Sequence, residues 1–191
     1  MDSLYPSLFS AILLIGWAPG KNDREHEGAF SGVIWFALGY VVLVITKLLF
    51  VQVHLHWIFV ELGCLWMIWH SVLRLGIRVW PSILTSYILT LVHLQALNWY
   101  PFILWKGIPT TYLIGLVWSF LAFSVGPAPE QKYLVLSLSY LLVAKLQTGF
   151  VLSPPDNLVM NSFWIGLALV SLFLRIQTTV QSKFSPVKPG M

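Results

Sequence analysis

The sequence predicts an all-α, polytopic transmembrane helical bundle of seven spans, with the N-terminus outside or lumenal and the C-terminus cytoplasmic. Three observations carry this. The chain of 191 residues is 58% hydrophobic and 9% charged, against roughly 25% charged residues in a soluble domain, and its mean hydropathy is +0.79. Its apolar stretches recur at close to the ~20 residues that a bilayer core requires. Ten Trp and seven Tyr suit two interfacial belts of amphipathic rings.

The segments follow in order. Residues 4–18 form a short apolar run. It carries Asp2 and no Lys or Arg ahead of it, and no A-x-A site follows, so it reads as a short first span rather than a cleaved signal. A polar loop from Gly20 to Ala29 leads to the second segment, about 30–51. The third covers His54–His70 and runs on to residue 73. The fourth begins at Pro81 and reaches about Trp99. The fifth follows Pro109 and reaches about Val125. Gly126-Pro127-Ala128-Pro129 breaks the chain before the sixth, about 132–152. Ser153-Pro154-Pro155-Asp156 breaks it again before the seventh, about 157–179, and residues 181–191 read as a flexible cytoplasmic tail. The whole is one integral membrane domain.

Charge sets the orientation. Eight basic residues (Lys21, Arg24, Arg74, Arg78, Lys132, Arg175, Lys183 and Lys188) fall on one side of this topology and only Lys106 on the other. That is the asymmetry of the positive-inside rule. The net charge of +4 is scattered rather than clustered. It therefore points to anionic lipid and not to nucleic acid. Cys64 is the only cysteine, which excludes a disulfide within the chain and a multi-cysteine metal site. An endomembrane such as the endoplasmic reticulum, or the plasma membrane, is the expected location.

Polar residues inside apolar segments mark the candidate site, because a charge in hydrocarbon costs ~2.5–3.5 kcal/mol on insertion scales. At ~1.5 Å per residue, Glu61 sits roughly 10 Å below the non-cytoplasmic face. Helical spacing places His54, Trp57, Glu61, Cys64 and Ile68 on one stripe of the third segment. It places Ser82, Ser86, Thr90 and His93 on one stripe of the fourth. Leu141, Lys145 and Thr148 share a face of the sixth. Asn157, Asn161, Trp164, Ala168, Ser171 and Arg175 share one on the seventh. Thr111, Gly115, Ser119 and Ala122 give the fifth a small-residue packing face. Glu61 is expected to pair with Lys47 or Lys145, or to switch between them. His54 and His56 face apart on a helix, so no metal site is expected, and no cofactor.

Three functions fit these residues. In the first, the protein is an intramembrane acid/base enzyme on a lipid or isoprenoid. Glu61, Asp156 and His93 would be the catalytic groups, and Lys145, Lys47, His54, Trp57 and Asn161 would bind substrate. An apolar pocket raises a carboxyl pKa toward neutrality, and aromatic faces stabilise a developing cation. The architecture is similar to that of the small membrane-bound terpene cyclases of fungal pathways. The Trp-Glu pair of such a cyclase has no counterpart here, since Glu61 follows Val60. In the second, the protein is a non-catalytic accessory, assembly or viral membrane subunit, with other membrane subunits as partners. The third is a small transporter or channel, which would need a polar path through both leaflets.

Overall fold

The structure, a computed structural model, describes residues 56–98, 110–149 and 155–184. The first two apolar segments, Lys47, His54 and the tail beyond residue 184 lie outside the described residues. Among the described residues all regular structure is helical. The elements are α1 (His56–Leu75), a 3-10 turn (Gly76–Val79), α2 (Trp80–Asn98), α3 (Thr110–Ser124), α4 (Pro129–Thr148) and α5 (Asn157–Phe184).

Local chemistry sets the boundaries. α1 ends where Gly76 adopts φ +53°, a left-handed conformation that glycine reaches without strain. α2 carries Pro81 in its first turn, where a missing N–H is harmless. α4 starts at Pro129, three residues before the sequence-based boundary. Ala128 is extended ahead of it, as a residue preceding proline should be, and Glu130 complements the helix dipole. α4 stops at Thr148 because Gly149 takes φ +63° and its N–H bonds the Lys145 carbonyl. α5 opens with the Met160 N–H on the Asp156 carbonyl at 3.1 Å.

Side-chain contacts define how the helices run. Arg74 meets Glu130, Met67 meets Ser137 and Glu61 meets Lys145, so α1 and α4 are antiparallel. Tyr133 meets Ser171, while Tyr140 meets Met160 and packs on Phe163, which makes α5 antiparallel to α4 as well. Ser119 reaches the Gly166 carbonyl and Phe123 the Phe173 ring, so α3 runs with α5. On α2, the Ser86 hydroxyl donates to the Val135 carbonyl, and Ser139 donates to the Ser86 carbonyl.

α4 touches every other described helix. It is the least apolar of the five, yet its residues 131–137 are buried without interruption. The helices around it turn large apolar side chains outward, among them Leu65 and Trp69 on α1, Leu84 and Tyr87 on α2, and Phe120 on α3. Two helical stretches, Trp57–Ala96 and Asn157–Leu174, are long and apolar enough to cross a membrane, and Thr110–Ser124 is a shorter apolar helix.

The small-residue face foreseen on the fifth segment is the seam between α3 and α5, where Gly115, Ser119 and Ala122 are buried. A Cβ at Gly115 would lie against the Ile165 side chain and 3.3 Å from the Ser162 carbonyl. Gly115→Val should therefore destabilise the protein by about 1–3 kcal/mol, seen as a lower thermal midpoint in detergent. Gly166→Ala, whose Cβ would meet its neighbours at 3.4 Å, should cost much less. Equal midpoints for the two variants would contradict this seam.

Candidate functional site

Glu61 faces α4 from the second turn of α1, between the buried residues Val60 and Cys64. Opposite it, Lys145 occupies the last turn of α4, where the helix dipole favours a cation. The Lys145 ammonium donates to both carboxylate oxygens, at 2.7 Å to Oε1 and 2.9 Å to Oε2. Its nitrogen also stands 5.8 Å from the centroid of the Trp57 ring. An ammonium has three donors. Two go to the carboxylate and the charge leans on an aromatic face, an arrangement that gains from desolvation. The side chains keep 14% of their exposure at Glu61 and 26% at Lys145. The pair is thus screened from solvent but not sealed.

Of the two counter-charges expected for Glu61, Lys145 is the partner found, and Lys47 lies outside the described residues, as does His54. Trp57 joins the pair as expected. His93 and Asp156 do not: among the described residues, no hydrogen bond or ion pair links either to Glu61 or Lys145. His93 is buried on α2 against the Trp118 ring of α3, 5.4 Å between centroids. Asp156 is exposed at the head of α5, and Asn161 is half-buried one turn further on. The stripe Ser82, Ser86, Thr90 and His93 is buried throughout. The Ser86 and Thr90 hydroxyls donate to carbonyls one turn back, and Ser86 shares its proton with the Val135 carbonyl of α4. On α1 the buried face runs through Trp57, Val60, Cys64, Met67 and Ser71, while Ile68 is only half-buried.

Lys132 has no role beyond its charge in the sequence reading. Its ammonium is folded back, donating to the Gly126 carbonyl at 2.7 Å and the Pro127 carbonyl at 3.2 Å. It stands 5.1 Å from the Phe123 ring centroid. It ties down the turn between α3 and α4, whose proline residues cannot donate backbone N–H groups. At the same end Arg74 pairs with Glu130 at 3.2 Å. The readable signal was a Lys three residues after the Pro-Gly break. Two of the eight one-sided cations therefore have partners within the protein. No group of three or more metal-ligating side chains occurs among the described residues.

No protein-family model, no curated protein and no solved structure matches the chain.

Removing one partner of a screened ion pair strands the other. Glu61→Gln or Lys145→Met alone should cost about 1–3 kcal/mol, and the double variant less than the sum of the two. Thermal unfolding of all four proteins in detergent measures this coupling. Additive losses would mean that the pair contributes nothing as a pair.

Proposed function

We propose that the chain is a seven-span integral membrane protein, C-terminus cytoplasmic, that serves as a non-catalytic subunit among other membrane proteins. Lipid is its solvent, in an endomembrane or the plasma membrane. The observation that carries the non-catalytic reading is the closure of Glu61 on Lys145 through both carboxylate oxygens. A carboxylate so engaged acts as a clamp between helices. Among the described residues neither of its supposed catalytic companions, His93 and Asp156, makes a hydrogen bond or ion pair with it.

The membrane reading draws on the inside-out packing. Apolar residues facing outward on α1, α2 and α3 would form a patch that soluble monomers avoid, and lipid accepts it without cost. α1, α3 and α5 all run opposite to α4, which suits a chain threading back and forth. For transport, the seam between the two ion pairs gives no support. It is filled by Cys64 and by Met67 against Ser137.

A second reading is the acid/base enzyme on a lipid or isoprenoid. One observation favours it: Lys145 keeps about a quarter of its side-chain exposure beside the Trp57 ring. A substrate arriving there would meet Glu61, Lys145 and Trp57 together.

The charge swap Glu61→Lys with Lys145→Glu separates the two. A clamp tolerates exchange, so membrane abundance, complex size on native gels and rescue of null cells should all return toward wild type. Normal abundance with failed rescue would sink the subunit reading and favour chemistry at Glu61. Orientation is tested alongside. A glycosylation acceptor inserted at residues 153–156 should be modified and one at residues 126–129 should not. The reverse pattern would invert the topology.

A further inference from the structure

His93 ends the buried stripe of α2 and, like Ser82 at the other end of that stripe, has no hydrogen-bond partner among the described residues. It is 1% exposed, and among the described residues neither Nδ1 nor Nε2 has a hydrogen-bond partner. Its ring meets that of Trp118 edge-on, 5.4 Å between centroids and 66° between planes. Trp118 is 0% exposed, and its indole N–H is likewise unpartnered. The Trp118 Cβ packs on α5 at Gly166. One turn earlier on α5, Ser162 is fully buried with an unpartnered hydroxyl. His93 on α2 and Trp118 on α3 thus bring unmade hydrogen bonds to one ring contact, and α5 carries a further unpartnered hydroxyl at Ser162 among the described residues.

A neutral imidazole carries one N–H and one lone pair, and an indole carries an N–H alone. Leaving such groups unsatisfied in a buried site is costly, and folded proteins hold few of them. An edge-on contact between rings supplies dispersion but no lone pair for the indole N–H. The chemistry of the three groups narrows what completes them. An anion finds no counter-charge among His93, Trp118 and Ser162, and burying it there is prohibitive. A carbonyl accepts from Trp118 but gives nothing to the imidazole lone pair. A hydroxyl accepts from the indole N–H and donates to His93.

We propose that His93 and Trp118 form a buried site for a neutral hydroxyl group, supplied either by an ordered water or by the alcohol head of a lipid or isoprenoid. The site is independent of the Glu61–Lys145 pair and holds whichever reading of that pair is correct.

The test uses the full chain in detergent, labelled with 15N-histidine. The variants are His93→Gln, which keeps a donor and an acceptor, His93→Phe and Trp118→Phe. In the wild type, His93 should appear as one fixed neutral tautomer with a hydrogen-bonded ring N–H, identified by its loss in His93→Gln. Decanol and decane are then added separately. An alcohol occupant is shown if decanol raises the thermal midpoint, decane does not, and the shift disappears in His93→Phe and Trp118→Phe but persists in part in His93→Gln. A water occupant is shown by a cross-peak from the His93 N–H to water with no decanol-specific shift. The proposal is overturned if the His93 nitrogens are free of hydrogen bonds. It is overturned equally if decanol acts alike on wild type, His93→Phe and Trp118→Phe while no water cross-peak is present.

Discussion

The arrangement depends on placing a polar helix at the centre of apolar ones. Gln131, Lys132, Tyr133, Ser137, Ser139 and Tyr140 bring amide, ammonium and hydroxyl groups into the interior. There an unpaired polar group is expensive. α4 can occupy that position only if its neighbours supply partners at the right heights. Most are supplied: Met67 and Ser86 for Ser137 and Ser139, Met160 for Tyr140, Ser171 for Tyr133 and the carbonyls of the α3–α4 turn for Lys132, while the Gln131 Oε1 has no partner among the described residues. Apolar packing between helices is weakly directional and gains nothing from hydrocarbon surroundings. Polar partners therefore decide which helix face meets α4 and at what register.

The charges act at the ends of this arrangement. Glu130 and Lys145 are separated by 15 residues of α4, or about 22 Å at 1.5 Å per residue. Centred in a hydrocarbon core of about 30 Å, the two ion pairs would each lie roughly 4 Å inside its boundary. That is shallower for Glu61 than the depth read from segment ends alone. The insertion cost of a charge is greatest at the midplane, so in that placement the pairs would fix the slide of α1 along α4 at a low penalty. Between them the seam is Cys64, Met67 and Ser137, with no net charge.

Much of this is legible in the sequence, because hydrophobic length and Pro/Gly breaks are local properties. The described helices cover the third to seventh apolar segments, and the Gly115–Ser119–Ala122 face was visible from its spacing. The helix ends were displaced where single residues govern them: Pro129 starts α4 early, and Gly149 stops it early. Pairings between segments are less legible. Lys145 was one of two candidates for Glu61, since spacing gives a face and a depth but not the neighbour. Lys132 read as a loop charge because nothing local reveals that its chain folds back over Phe123. His93 was grouped with Glu61 by depth, whereas three-dimensional packing assigns it to Trp118.

Glu61 and His93 differ in a way that bears on function. The Glu61–Lys145 pair is saturated. Any ligand acting there must first separate two opposite charges at the low dielectric of the interior, where their attraction is far stronger than in water. Only a molecule carrying charge of its own offers compensation. The His93–Trp118 pair is unsaturated among the described residues, so no ion pair has to be separated before a neutral group binds. A neutral amphiphile therefore has an energetic reason to engage the second and little to engage the first. This contrast separates a clamp from a receptive site in the same core. On the two proposals together, Glu61 would hold two helices while a hydroxyl group would be recognised between α2 and α3.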